Sequence, residues 1–94
     1  MRPLRLTAKF KRSLRKFIKK NPGLRNRINQ TLQQMEADVF SHSLGTHKLT
    51  GNLADLRACS CGYDCRIVFA IEKDTETNTE SILLVDIGTH DDVY

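Results

Sequence analysis

Several residue types that mark other classes of protein are scarce in this chain of 94 residues. It has no tryptophan, two prolines and five glycines, so it is neither collagen-like nor a low-complexity chain. No apolar run approaches the roughly 18 residues of a membrane span, and the basic start lacks the apolar segment of a secretory signal. We therefore expect one cytoplasmic domain over residues 1–94, with 39% hydrophobic residues for one modest core.

Cysteine occurs three times, at Cys59, Cys61 and Cys65. The window contains no C-x-x-C pair and no set of four zinc ligands at the usual spacing. We predict reduced thiols, no metal and no other cofactor. A zinc site completed by His47 or His90 is the weaker alternative.

Positive charge is concentrated in the first half of the sequence. Residues 1–50 carry twelve Lys and Arg against two Asp and Glu, whereas residues 51–94 carry three against nine. Such asymmetry favours a polyanion as the partner of the first half, either nucleic acid or an acidic protein. The alternative is an ordinary solvated helix surface.

The first half also contains two segments whose apolar residues repeat at the helical period. Thr7 can cap a helix, and the apolar residues that follow repeat at helical spacing: Phe10, Leu14, Phe17 and Ile18. Asn21-Pro22-Gly23 ends this helix, because proline biases the preceding residue away from helical ψ. A second helix is predicted over residues 23–38 from another apolar stripe: Leu24, Ile28, Leu32 and Met35. Residues 39–46 have no clear period and are predicted to form a loop.

Strand patterns dominate the rest of the chain. A short β-compatible stretch, residues 2–6, precedes the helices, and three strand-like runs follow at residues 53–60, 63–71 and 81–88. The predicted order is β-α-α-β-β-β, which is an α+β fold. A two-helix hairpin covers one face of a sheet made of an N-terminal strand and a three-strand antiparallel meander.

A two-residue loop at Cys61-Gly62 gives the predicted hairpin register. It places Arg57 opposite Arg66, and Cys59 opposite Asp64. The residues predicted to face the core are Leu56, Ala58, Cys65, Ile67 and Phe69 in the hairpin, and Leu83, Val85 and Ile87 in the last strand. The residues predicted to face an open polar surface are Arg57, Asp64, Arg66, Asp86 and His90.

This open face has the groups needed for phosphate chemistry. Two opposed arginines repel each other unless an anion bridges them, and a guanidinium fork suits phosphate. Neutralisation by neighbouring aspartates is the alternative. His47 and His90 can exchange protons near neutral pH. They would suit metal-free RNA cleavage, in which one group takes the proton of the 2′-hydroxyl and another protonates the leaving 5′-oxygen.

For two further residues a structural interpretation stands beside a functional one. Tyr94 can stack on an unpaired base or simply cover the edge of the core. Lys48 can contact a phosphate or remain a solvated loop lysine. Tyr63, beside the predicted turn, is expected to be a packing residue.

Three segments together resemble the RelE/ParE superfamily of bacterial toxins, and most closely its YafQ-like branch: HKLTGNLADLRACS, GYDCRIVF and ILLVDIGTHDDVY. The resemblance implies a RelE-like fold and a ribosome-dependent endoribonuclease that cuts mRNA in the decoding (A) site by attack of the 2′-hydroxyl. It also implies a cognate acidic antitoxin that binds the toxin in a hetero-oligomer.

The resemblance further implies roles for individual residues. The catalytic positions of the branch fall on four residues of this chain: His47, Asp64, His90 and Tyr94. Arg66 falls on a phosphate-binding arginine, Arg57 matches a basic position of the preceding strand, and Lys48 is a further candidate for RNA binding. The chain departs from the branch at Ser60, where a histidine is expected and a hydroxyl cannot replace imidazole in acid–base work.

Two other functions remain open at this point. One is inhibition of DNA gyrase by a ParE-like toxin, which would need no acid–base residues. The other is a non-catalytic RNA-binding or ribosome-binding module. The histidines, Asp64 and Tyr94 favour the nuclease.

Overall fold

The computed structural model describes residues 2–51 and 55–94. The strands are β1 (Leu4–Leu6), β2 (His47–Lys48), β3 (Arg57–Gly62), β4 (Cys65–Asp74) and β5 (Thr79–Gly88). The helices are α1 (Ala8–Lys20), α2 (Arg25–Asp38) and α3 (His90–Val93), with 3-10 turns at Pro22–Leu24 and His42–Leu44. Leu53 and Ala54, which open the predicted strand at 53–60, lie outside the described residues.

The strands form one five-stranded mixed sheet in the order β1-β5-β4-β3-β2. The α+β class is confirmed, and β3, β4 and β5 pair antiparallel in succession. Two features of the sheet differ from the prediction. β1 runs parallel to β5, and the two-residue strand β2 adds a fifth member beside β3. The second difference matters for the site because β2 contains His47.

Both predicted helices form, and their apolar stripes build the core. The Thr7 hydroxyl accepts a hydrogen bond from the backbone N–H of Phe10 at 3.1 Å and so caps α1, as predicted. One buried cluster joins the helices to one face of the sheet; its largest fully buried members are Phe10, Ile28, Met35, Ile67, Phe69, Ile82 and Leu84. Leu14, Ile18, Leu24 and Leu32 pack against it, half-buried.

The predicted register of the β3–β4 hairpin is wrong. Arg57 pairs with Phe69, Cys59 with Ile67 and Ser60 with Arg66, with a bulge before Gly62. The turn is formed by Tyr63 and Asp64 instead of Cys61-Gly62. This shift of three residues exchanges the two faces of β3, so that Cys59 lies in the core and Ser60 on the open face.

The buried face of β5 is also the opposite of the predicted one over most of the strand. Ile82 and Leu84 are fully buried, whereas Leu83 and Val85, predicted to face the core, are half-buried. A second bulge follows Leu84, opposite the step from Val68 to Phe69, and returns Ile87 to the core. Asp86 turns toward α1 and forms an ion pair with Lys9 at 3.5 Å, so it does not belong to the open face.

The prediction of three reduced thiols is wrong for one pair. Cys61 and Cys65 form a disulfide across the hairpin turn, with their Cα atoms 5.0 Å apart. The bulge and the true turn bring these two residues together, and Cys59 remains a buried free thiol. Burial raises the pKa of the Cys59 thiol to about 12.

The last described segment is a short helix, so His90 lies beyond the end of the last strand. The Thr89 hydroxyl accepts a hydrogen bond from the Asp92 N–H at 3.2 Å. The Asp92 carboxylate in turn accepts one from the Thr89 N–H at 3.1 Å, which completes a capping box. Among residues 2–51 and 55–94, no helix is long and apolar enough to cross a membrane.

Candidate functional site

The turn of the β3–β4 hairpin is tied to the start of α3. Asp64 sits in the turn with a left-handed φ of 51°, a conformation that aspartate tolerates better than most residues. Its carboxylate accepts a hydrogen bond from the backbone N–H of His90 at 3.0 Å. Two predicted site residues are therefore in direct contact, but the contact runs through the backbone of His90 and does not involve its imidazole.

The α3 helix presents two predicted site residues on one surface. The rings of His90 and Tyr94 meet edge to face, with their centroids 4.6 Å apart. The Tyr94 N–H donates to the His90 carbonyl at 3.1 Å, which fixes their spacing of one helical turn. His90 Nδ1 also lies 3.6 Å from an Asp91 carboxylate oxygen. Both rings remain accessible, since 62% of the His90 side chain and 41% of Tyr94 are exposed.

The edge strand β2 brings His47 into a cleft with Tyr94. Residues 47–50 and Tyr94 together line an open cleft. One ring nitrogen of His47, Nδ1, lies 3.0 Å from the Gly45 carbonyl and is engaged there as a donor, which leaves Nε2 free. In the β2–β3 ladder His47 lies opposite Ala58, on the same face of the sheet as Ser60 and Arg66.

Arg66 occupies the centre of this open face. It pairs with Ser60 on one side and Gly88 on the other, and it is half-buried. Its Nη1 donates to the carbonyls of Gly62 and Cys65, at 3.3 and 3.0 Å. Ser60, the position at which the family pattern expects a histidine, also donates from its hydroxyl to the Gly62 carbonyl, at 3.3 Å.

Arg57 does not join Arg66, which removes the expected pair of opposed arginines. By alternation along β3 it lies on the other face from Ser60, and its guanidinium sits 5.5 Å from the centroid of the Phe40 ring. Arg2 sits over the same ring at 5.3 Å. Lys48 lies opposite Arg57 in the β2–β3 ladder, on the reverse face from His47, although it also lines the cleft with Tyr94.

The environment of Tyr94 keeps its phenol protonated. Partial withdrawal from water raises its pKa above the ordinary value of 10.0, and the positive charge of Arg66 acts in the opposite sense. At neutral pH the phenol is therefore a hydrogen-bond donor or a stacking surface, not a phenolate base. In the β4–β5 ladder Arg66 pairs with Gly88, two residues before the start of the helix that carries Tyr94.

Three features of the site were missed in the sequence. Thr89 and Asp92 form the capping box that begins α3, and the pattern Thr-x-x-Asp after a strand could have indicated it. Phe40, in the stretch predicted to form a loop, has the ring over which the Arg57 guanidinium lies. Tyr63, predicted to pack, is 99% exposed at the tip of the hairpin.

Comparisons with solved structures agree with this fold. The structure matches YafQ from E. coli strain BL21(DE3) with a TM-score of 0.79 and 10% identity, over 100% of this chain and 99% of that one. It matches a YoeB/ParE toxin from Agrobacterium tumefaciens with a TM-score of 0.74 and 12% identity, over 94% and 98% of the two chains. The toxin in an E. coli DinJ–YafQ toxin–antitoxin complex matches with a TM-score of 0.76 and 12% identity, over 99% and 97%.

At these identities the structural matches show the fold alone. A search of curated protein sequences gives no match. The family model for the bacterial toxin of type II toxin–antitoxin systems, YafQ, matches residues 2–94. The chain therefore belongs to the YafQ family of bacterial toxins of type II toxin–antitoxin systems.

Proposed function

We propose that this toxin is a ribosome-dependent endoribonuclease that cleaves translated mRNA by attack of a 2′-hydroxyl on the adjacent phosphate. The observation that carries the proposal is the convergence of His47, Arg66, His90 and Tyr94 on one open face. One accessible imidazole contacts the Tyr94 ring, the other shares a cleft with it, and Arg66 pairs with Gly88, two residues before the helix that carries Tyr94.

Each of these groups suits one part of the reaction. One imidazole removes the proton of the 2′-hydroxyl, and the other protonates the leaving 5′-oxygen. Arg66 stabilises the charge that develops on the phosphate, because its planar fork matches two phosphate oxygens. The protonated phenol of Tyr94 donates a hydrogen bond or stacks on a base. Asp64 holds α3 in place through the N–H of His90.

The proposed partners are an mRNA in the ribosomal A site and an acidic antitoxin. The exposed basic residues of α1 support both partners, because they form a cationic surface without an acidic residue on the same helix: Lys9, Lys11, Arg12, Arg15, Lys16, Lys19 and Lys20. The relative in the E. coli DinJ–YafQ complex is bound to its antitoxin, which supports a toxin–antitoxin hetero-oligomer here.

The test is to map mRNA 5′ ends in a translating extract supplied with the purified toxin. We expect cuts within translated codons, and a loss of roughly 10²–10⁴-fold in cleavage rate for His47→Ala and His90→Ala. His42→Ala is the matched control, because this exposed histidine lies in the 3-10 turn His42–Leu44, outside the site. Unaltered cleavage in both site variants would refute the assignment of the histidines, and intact mRNA with DNA damage would favour gyrase as the target.

A further inference from the structure

We infer that Cys61 and Cys65 form a reversible oxidation site, and that the disulfide holds the candidate nuclease site in its assembled form. The co-reactant would be a small thiol–disulfide couple such as reduced and oxidised glutathione. The inference rests on the proposed function only for its effect on RNA cleavage. Its structural part, a coupling between the disulfide and α3, stands independently.

The disulfide closes the hairpin turn that positions the predicted site residues. It joins the end of β3 to the first residue of β4, so that only Gly62, Tyr63 and Asp64 lie between the two cysteines. Gly62 has a φ of 139° and Asp64 a φ of 51°, both in the region that L-residues rarely adopt. A covalent link across such a turn restricts the conformations that compete with it.

Two sets of hydrogen bonds extend from this turn to predicted site residues. The Asp64 carboxylate accepts from the His90 N–H at 3.0 Å and so fixes the start of the helix that carries Tyr94. The carbonyls of Gly62 and Cys65 accept from Arg66 Nη1 at 3.3 and 3.0 Å and so orient its guanidinium. A looser turn would therefore displace both the cation and the helix of the site.

The third cysteine is separated from this chemistry. Cys59 is fully buried, and its sulfur lies 3.7 Å from the sulfur of Met35 in the core. Burial also keeps its thiol protonated, and a protonated thiol does not attack disulfides. Because the disulfide joins Cys61 to Cys65 and leaves Cys59 as a free thiol, we assign the exchange to that pair.

The exchange balances as a two-electron reaction. The two thiols give up two electrons and two protons as the Cys61–Cys65 bond forms, and the glutathione S–S bond breaks to yield two glutathione thiols. A mixed disulfide is the intermediate. Both cysteines are buried, whereas Tyr63 and Asp64 above them are exposed, so exchange proceeds through local opening of the hairpin tip.

The test compares the full chain after oxidation with glutathione disulfide and after reduction with dithiothreitol. Mass spectrometry counts the thiols, and NMR measures hydrogen exchange of the His90 amide. On reduction we expect that amide to exchange roughly fivefold faster, as for the loss of one hydrogen bond, while the Ile67 amide in the central ladder is unchanged. Cys59→Ala is the matched control and should respond to reduction like the parent chain.

A double Cys61→Ala/Cys65→Ala variant should exchange like the reduced chain under both conditions. Equal His90 exchange in the oxidised and reduced chains, or failure of the pair to oxidise, overturns the inference. Cleavage of mRNA that is equal in both redox states overturns the regulatory part and leaves the proposed function intact. Faster His90 exchange on reduction without cleavage in either state supports the structural coupling and refutes the proposed function.

Discussion

The Asp64 carboxylate lies 3.0 Å from the backbone N–H of His90 and accepts a hydrogen bond from it. The two residues belong to different elements, the hairpin turn and the first position of α3. The family resemblance implies a catalytic role for Asp64, whereas this contact favours a positioning role, because the carboxylate touches the backbone that orients His90. The two roles predict different behaviour for substitutions at this residue.

For Asp64 we predict that Asn preserves mRNA cleavage and Gly reduces it. Asparagine tolerates the left-handed φ of 51° and keeps an oxygen that accepts from the His90 N–H. Glycine also suits the backbone but removes the acceptor, which should cost about 1 kcal/mol locally and roughly fivefold or more in cleavage. The readout is cleavage in a translating extract together with His90 amide exchange. If Asn is as defective as Gly while exchange stays normal, the carboxylate takes part in the chemistry itself.

We expect the two arginines of the hairpin to differ in role, with Arg57 contributing to stability and Arg66 to cleavage. Arg57→Ala removes a guanidinium stacked on Phe40, so we expect a loss of about 1 kcal/mol in the free energy of unfolding and little change in cleavage. Arg66→Ala removes the cation of the open face and should lower cleavage by roughly 10²–10³-fold. Urea unfolding and cleavage assays on both variants provide the measurement. A large cleavage defect in Arg57→Ala at unchanged stability would return Arg57 to the RNA-binding surface.

Gly88 should not tolerate a methyl group. A Cβ atom added there would lie 2.8 Å from the Cβ of Asp92, an atom close to the backbone that cannot move without shifting α3. We expect Gly88→Ala to cost about 1–3 kcal/mol in unfolding free energy and to reduce cleavage by displacing His90 and Tyr94. Gly23→Ala is the matched control, since an added Cβ there meets nothing within 4 Å. Equal stability of the two variants would mean that α3 adapts freely.

Acid should loosen α3 through Asp92. Its hydrogen bonds with Thr89 lower the pKa of this carboxyl below the ordinary value of 3.8, and Lys20 and Lys16 add to the effect. A lowered pKa in the folded state means that the contribution of Asp92 is fully present above pH 3.8 and is lost as the pH falls through the lower value. NMR shifts of the Tyr94 ring should report this transition. Asp92→Asn should abolish it, because the amide does not titrate; an unchanged transition would assign it to another group.

The helices could be predicted because their signals are local. The apolar stripes repeat at the helical period, and Thr7 and Pro22 mark boundaries in the sequence. The hairpin could not be predicted by the same reasoning. The observed register places Arg57 on the apolar face of the sheet, opposite Phe69, where the Phe40 ring receives its guanidinium. The bulge before Gly62 then absorbs the mismatch.

For the candidate site, the sequence indicates which face of the sheet carries Arg66 but not how the separate segments come together. Arg66 is on the open face in both descriptions, and β2 and α3 bring His47 and Tyr94 to one cleft. The two-residue strand β2 is too short for any alternation pattern to indicate it. The link from Asp64 to the His90 N–H depends on the turn at Tyr63 and Asp64, so the wrong turn concealed it.

The parallel pairing of β1 with β5 has a consequence for synthesis of the toxin. Leu4 pairs with Ile82, which lies 78 positions later in the chain. Among the described residues, β5 is the only strand that pairs with β1. At ordinary rates of translation, β1 waits roughly 4–16 s for that partner to be made. The sheet that supports the candidate site is therefore completed late. We expect the nascent chain to remain inactive while the ribosome that makes it is still reading the same message.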